Sequence, residues 1–200
     1  PSTSLFFPLV GKSVKWFYQI HNSLKVKGRE NIPQKGPFII APNHQSVLDG
    51  PLTLAGVPWN QMSDFYFYAT EEHVKHPILK YLARHHNIIL MERKNLRTSI
   101  VKLAEVLKQG KTVVIFPEGS RTHDGKMIKF KKTFAILSKE LNVPIVPVRI
   151  SGAYEALPRG KRIANMHHIE IEYLTPVIPT PHMSYSDISD EVRNSIECNN

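Results

Sequence analysis

The stretch Thr98–Arg121, TSIVKLAEVLKQGKTVVIFPEGSR, holds one complete change of structural period. Ile100, Leu103, Ala104 and Leu107 recur at helical spacing on one face, Lys102, Glu105 and Lys108 occupy the other, and Gly110 stands where a helix stops. The run Thr112–Phe116 follows at once. It does not alternate, which suits a strand buried on both faces. A helix that feeds directly into a buried strand is the repeating unit of α/β proteins.

The same alternation continues on both sides. Further strands are expected at Pro37–Ala41, Phe65–Ala69, Asn87–Met91, Ile145–Ile150 and, from the alternating HIEIEYL, His168–Leu174. A helix over residues 71–86, EEHVKHPILKYLARHH, is kinked or restarted by Pro77. Another carries Phe130, Phe134, Leu137 and Leu141, starting in the basic GKMIKFKK of residues 125–132 and ending before Pro144. The fold class is therefore α/β, a single domain whose central, mostly parallel mixed sheet is flanked by helices. Residues 1–30 mix apolar and lysine residues as an amphipathic helical segment does, on the core or on a membrane. Residues 31–175 form the main domain. Residues 176–200 follow as a Pro-rich linker and a docking helix with Ile188, Val192 and Ile196 at helical spacing.

Composition limits what such a domain meets. The 200 residues are 42% hydrophobic, enough for a core, and 26 Lys+Arg against 17 Asp+Glu leave a charge of +9. A polyanion is the expected neighbour: nucleic acid, an anionic membrane or a phosphorylated small molecule. Cys198 has no partner in the chain, so no internal disulfide forms and the cytoplasmic side is favoured. No apolar run approaches the roughly 18 residues of a membrane-spanning helix. The chain starts at Pro1, as expected of an excerpt from a longer protein.

Pro42–Pro51, PNHQSVLDGP, places His44 and Asp49 five apart. On a helix they would sit roughly 140° apart, and on a strand they would face opposite ways. They meet only if the chain turns between them, and Asn43, Ser46 and Gly50-Pro51 favour a turn. Such a pair makes a general base: the carboxylate fixes one imidazole N–H and leaves the other nitrogen to take a proton. The alternative is that Asp49 caps a short helix through GPLTLAG while His44 is an ordinary loop residue. Ser46-x-x-Asp49 also fits a capping box, a register that Pro51 opposes. There is no Gly-x-Ser-x-Gly elbow or supported cysteine, so the attacking group is expected to be a hydroxyl of the substrate.

The loop after Phe116 carries Glu118, Gly119, Ser120 and Arg121, at the C-terminal end of a buried strand where α/β proteins build sites. Arg121 offers a fork of donors suited to phosphate, and Gly119 lets backbone N–H groups approach an anion. IILMERKN ends another strand in Arg93. The pairs His85-His86 and His167-His168 lack zinc-ligand spacing, so no metal site is expected.

Four blocks in this order, NHQSVLD, NIILMER, FPEGSR and VPIVPVRI, resemble the motifs of glycerolipid acyltransferases of the lysophosphatidate-acyltransferase type. The resemblance runs from about Val26 to Leu174. It implies a glycerolipid-acyltransferase-like fold and transfer of a fatty acyl group from acyl-coenzyme A or acyl carrier protein to a lysophospholipid hydroxyl. His44 would be the base and Asp49 its orienting partner, while Arg93 and Arg121 would hold the acceptor phosphate. Glu118 and Gly119 would shape the acceptor site, with Asn43 and Ser120 in support, and no metal or redox cofactor is implied. Asn87 stands where relatives often have glycine, and Ser120 replaces the commoner threonine. Some relatives are fused to an acyl-activating enzyme. The family context makes an anionic membrane surface, bound peripherally from the cytoplasmic side, the expected partner of the basic clusters. A thioesterase using the same pair on water is the nearest alternative chemistry. A basic nucleic-acid-binding module is disfavoured, because the aromatics of FYFYAT fall in segments expected to be buried.

Overall fold

The computed structural model describes residues 23–70, 87–91, 96–161 and 163–197. Its strands are β1 (Lys25–Lys27), β2 (Ile39–Pro42), β3 (Phe65–Thr70), β4 (Ile88–Met91), β5 (Thr112–Val114), β6 (Ile145–Ser151) and β7 (Glu170–Tyr173). They form one sheet in the order β1-β7-β6-β2-β5-β3-β4. Every pairing in that sheet is parallel except β6 with β7. This is the mostly parallel mixed sheet expected from the alternating runs.

The helices are α1 (Asp49–Leu52), α2 (Leu96–Lys108), α3 (Thr133–Leu141), α4 (Ala153–Ala156) and α5 (Tyr185–Glu197). Successive strand residues point to opposite faces, so each central strand feeds two cores. Ile40, Val114 and Val146 join Leu52, Phe65 and Tyr173 on one side. Ile39, Ala41, Val113 and Ile115 meet Leu103 and Leu107 of α2, Phe134 and Leu137 of α3, and Ile188 and Val192 of α5 on the other. Burying each such aliphatic or aromatic side chain contributes about 1.5–3 kcal/mol. Gly110 ends α2 at φ 76°, with its N–H on Leu107 O and that of Lys111 on Val106 O.

Three expectations are corrected. Lys25–Lys27 lies within the segment 1–30 assigned to a helix, yet it forms a strand parallel to β7, and Lys27 Nζ bonds Glu170 Oε1 at 2.7 Å. Partner strand and cross-strand charge decide the conformation of so short a segment. The basic stretch 125–132 does not begin α3, because its backbone is engaged elsewhere: Ile128 N–H bonds Glu118, and Lys131 N–H bonds Pro117 O. Finally, the Pro-rich stretch stays inside the folded unit. Val177 bridges Ile145 through N–H to O bonds of 2.7 and 2.9 Å, and α5 then docks Ile188, Val192 and Ile196 on the core. The expected helix over 71–86, residues 1–22 and Cys198 lie outside the described residues. Among those residues no helix is long and apolar enough to cross a membrane.

Candidate active site

The parallel neighbours β2 and β5 end side by side, so the loops that follow them converge. Asn43 sets the point of departure. Its Oδ1 accepts from Ile150 N–H at 2.7 Å and its Nδ2 donates to Ile150 O at 2.9 Å, so the side chain continues the ladder between β2 and β6. The next residue, His44, leaves the sheet.

The turn between His44 and Asp49 is tight enough to bring them together. Asp49 is the first residue of α1; Leu48 holds the cap position and makes no side-chain cap bond. The carboxylate turns back instead of forward. Oδ2 accepts from His44 Nδ1 at 2.8 Å, Gln45 N–H at 2.6 Å and Ser46 N–H at 2.7 Å. Pro51 is tolerated because the first-turn N–H groups of a helix have no intrahelical acceptor. The aspartate is wholly buried, whereas the histidine side chain keeps 17% of its surface. Burial pushes the Asp49 carboxyl up, and the bonds from His44, Ser46 and Gln45 pull it back. An oxygen facing three donors is set up for the carboxylate form, so Nδ1 carries the proton and Nε2 is left as the basic nitrogen. Phe116 stacks on the imidazole, its centroid 4.2 Å away at 30°, and fixes the ring plane.

The second loop grips the first. Phe116–Gly119 closes a turn through Gly119 N–H to Phe116 O, with Gly119 at φ 69°. A Cβ there would stand 2.5 Å from Lys131 Nζ. Glu118 spends both oxygens on backbone: Oε1 accepts from His44 N–H at 2.7 Å and Oε2 from Ile128 N–H at 2.9 Å. Thr122 N–H donates to His44 O at 2.9 Å, so the histidine backbone is held from both sides. Burial pushes the Glu118 carboxyl up, against the pull of the same two N–H groups. Ser120 and Arg121 are half-buried. Among the described residues the Arg121 guanidinium has no hydrogen bond or ion pair. Arg93 lies outside the described residues.

Asn43, His44, Gln45 and Glu118 line a cavity of about 280 Å³ together with Arg149, Ile196 and Glu197. Gly119, Ser120 and Arg121 are on the adjoining loop and do not line it. Arg149 builds the far wall. Its Nη1 donates to Glu172 Oε2, directly across the β6–β7 ladder, and Nε and Nη2 donate to Ile196 O and Ser195 O at the end of α5. Sequence reasoning missed Phe116, Thr122 and Arg149 as parts of this assembly. For Arg149 a signal was present: a charge inside the buried run IVPVRI requires buried partners.

A family model described as Acyltransferase matches residues 23–151, the span that contains both loops and β1 to β6. The chain belongs to the acyltransferase family. The 1-acyl-sn-glycerol-3-phosphate acyltransferase of Limnanthes douglasii is 28% identical over 196 residues, 95% of this acyltransferase-family chain and 66% of the relative. The human enzyme named 1-acyl-sn-glycerol-3-phosphate acyltransferase alpha is 28% identical over 193 residues, 92% of this chain and 65% of its own length. The chain thus spans just under two thirds of these relatives. The crystal structure of the 1-acyl-sn-glycerophosphate acyltransferase PlsC from Thermotoga maritima superposes with a TM-score of 0.81 at 30% identity. That match covers 96% of this acyltransferase-family chain and 76% of the other.

Proposed function

We propose that this chain moves a fatty acyl group from a thioester donor, acyl-coenzyme A or acyl carrier protein, to a hydroxyl of a lysophospholipid such as 1-acylglycerol-3-phosphate. The observation that carries this is the bond from His44 Nδ1 to the buried Asp49 carboxylate, with Nε2 left basic beside an open cavity. His44 Nε2 takes the proton of the acceptor hydroxyl as its oxygen attacks the thioester carbonyl carbon. The tetrahedral intermediate then expels the thiolate, which recovers the proton from the imidazolium and leaves as free thiol. Asp49 stabilises the transient imidazolium and does not itself exchange the proton. Backbone N–H groups near the two motifs, other than those of His44, Gln45 and Ser46 that are already donated, would stabilise the oxyanion. No step calls for a metal or redox cofactor.

Arg121, together with Arg93, would hold the acceptor's phosphate, with Gly119 and Ser120 shaping the loop that presents it. Glu118 acts on the acceptor site through the His44 backbone it holds. The protein would work as a peripheral enzyme on the cytoplasmic side of an anionic membrane, where its net charge of +9 is attractive. The test is a thiol-release assay with acyl-coenzyme A, with and without lysophosphatidate, and mass spectrometry of the lipid. Release that depends on acceptor, with a diacyl product, is expected. Equal release without acceptor would mean a thioesterase. Arg121→Ala should raise KM for the phosphorylated acceptor more than it lowers kcat.

A further inference from the structure

Between α4 and β7 lie two side chains that the reaction leaves unused. Ile163 and Met166 are the most exposed large apolar residues among those described, at 83% and 76% of full accessibility. One exposed apolar side chain requires no explanation, whereas two on one short loop beside an active site do. The loop has a closed neck: Asn165 N–H bonds Ala156 O at 2.7 Å, and Lys161 N–H bonds Pro158 O. Arg159 and Lys161 are exposed on the same loop.

This loop is tied to the His44 loop and to the loop after Phe116, and those two are tied to each other. Ser46 Oγ donates to Leu157 O at 2.8 Å, Gln45 Nε2 reaches Gly125 O, and Arg159 Nη1 meets His123 Nε2 at 2.9 Å. Each of those two loops carries its own exposed apolar tip, Val47 at 59% and Ile128 at 36%. Lys126 and Lys129 flank Ile128 and are exposed. Asp124 is also exposed, and its Oδ1 is engaged locally, accepting from Thr122 Oγ1 and Lys126 N–H. The apolar tips are on separate loops, and two of those loops carry exposed lysine or arginine close to the tip in sequence. A rigid protein partner needs a continuous complementary surface of about 800 Å². A lipid interface closes around isolated apolar tips, and its anionic headgroups take up the adjacent lysines and arginines.

We infer that these three loops form a docking rim for an anionic phospholipid bilayer, with Ile163 and Met166 as its insertion point, presenting the His44 cavity to the lipid phase. This rests on a lysophospholipid being the acceptor.

The test is co-sedimentation of the full chain with phosphatidylcholine vesicles, with and without added phosphatidylglycerol. Ile163→Ser/Met166→Ser should lower partitioning onto the anionic vesicles about tenfold. Lys161→Gln should lower it only where phosphatidylglycerol is present. In Ile163→Trp, lipid brominated in its acyl chains should quench the introduced tryptophan. The double variant should acylate a short-chain lysophosphatidate dispersed as monomers at the wild-type rate. Unchanged vesicle partitioning of the double variant would overturn the rim, and so would absence of quenching. Loss of binding to soluble acyl carrier protein with vesicle binding intact would overturn it in favour of a protein partner. A wild type that acylates no acceptor ends the proposed function, while the vesicle measurement still decides the rim.

Discussion

Ser46-x-x-Asp49 and Ser184-x-x-Asp187 are the same four-residue pattern in two places. In both, the aspartate Oδ2 accepts the serine N–H at 2.7 Å. At the C-terminal copy the rest of a capping box is present: Asp187 N–H returns to Ser184 Oγ, and α5 begins. The Asp187 side chain is exposed, and the Ser184 N–H and hydroxyl hold its carboxyl below the usual carboxylate range. At the N-terminal copy Ser46 Oγ is drawn off to Leu157 O, Asp49 is buried, and the freed geometry admits a third donor, His44. Burial pushes that carboxyl up instead. One local motif thus yields a helix cap or a buried carboxylate that holds a histidine ring, and the surroundings decide which.

The sharpest break of this contrast is His44→Ala. Turnover should fall about 10²–10⁴-fold or more in steady-state assays, with the far-ultraviolet circular dichroism unchanged. Asp49→Asn should cost roughly 10²-fold or more in kcat, because the amide no longer enforces the tautomer that leaves Nε2 basic. Asn43→Ala leaves Ile150 N–H and C=O unpaired in the sheet. It should destabilise the domain by about 2 kcal/mol in chemical denaturation, with kcat reduced as His44 loses its fixed departure point. At the other copy, Ser184→Ala should cost about 1 kcal/mol in the same measurement and leave kcat per folded molecule untouched.

Thermal melts across pH sharpen the same comparison. The raised Asp49 carboxyl means the folded state binds its proton more tightly than the unfolded state does. Stability from this group therefore falls as pH rises from the ordinary carboxylate value toward the raised one. Asp187 has the opposite sign: its contribution is present above the ordinary value and is lost as pH falls through the depressed one. Asp49→Asn should flatten the first slope and Asp187→Asn the second.

Much of this was legible in the sequence where burial imposes a pattern. The unbroken runs Ile39–Pro42, Thr112–Val114 and Ile145–Ser151 sit in the middle of the sheet, where both faces are covered. The five-residue interval between His44 and Asp49 required a turn, and the loop supplies one. Lys25–Lys27 was not legible, because its conformation comes from Glu170–Tyr173 far along the chain. Nor was the path of residues 125–132, where Glu118 and Pro117 claim backbone donors that a helix would have used. The double duty of the Ser-x-x-Asp pattern was hidden for the same reason: no local feature encodes that Leu157 O waits beside Ser46.

Arg149 holds the last turn of α5 against β6, so Ile196 and Glu197 stand in the wall of the same cavity as His44. That puts the C-terminal end of α5 at the cavity that His44 lines. A tag, fluorophore or domain joined there starts its path at the cavity, and its length and charge become variables of the assay.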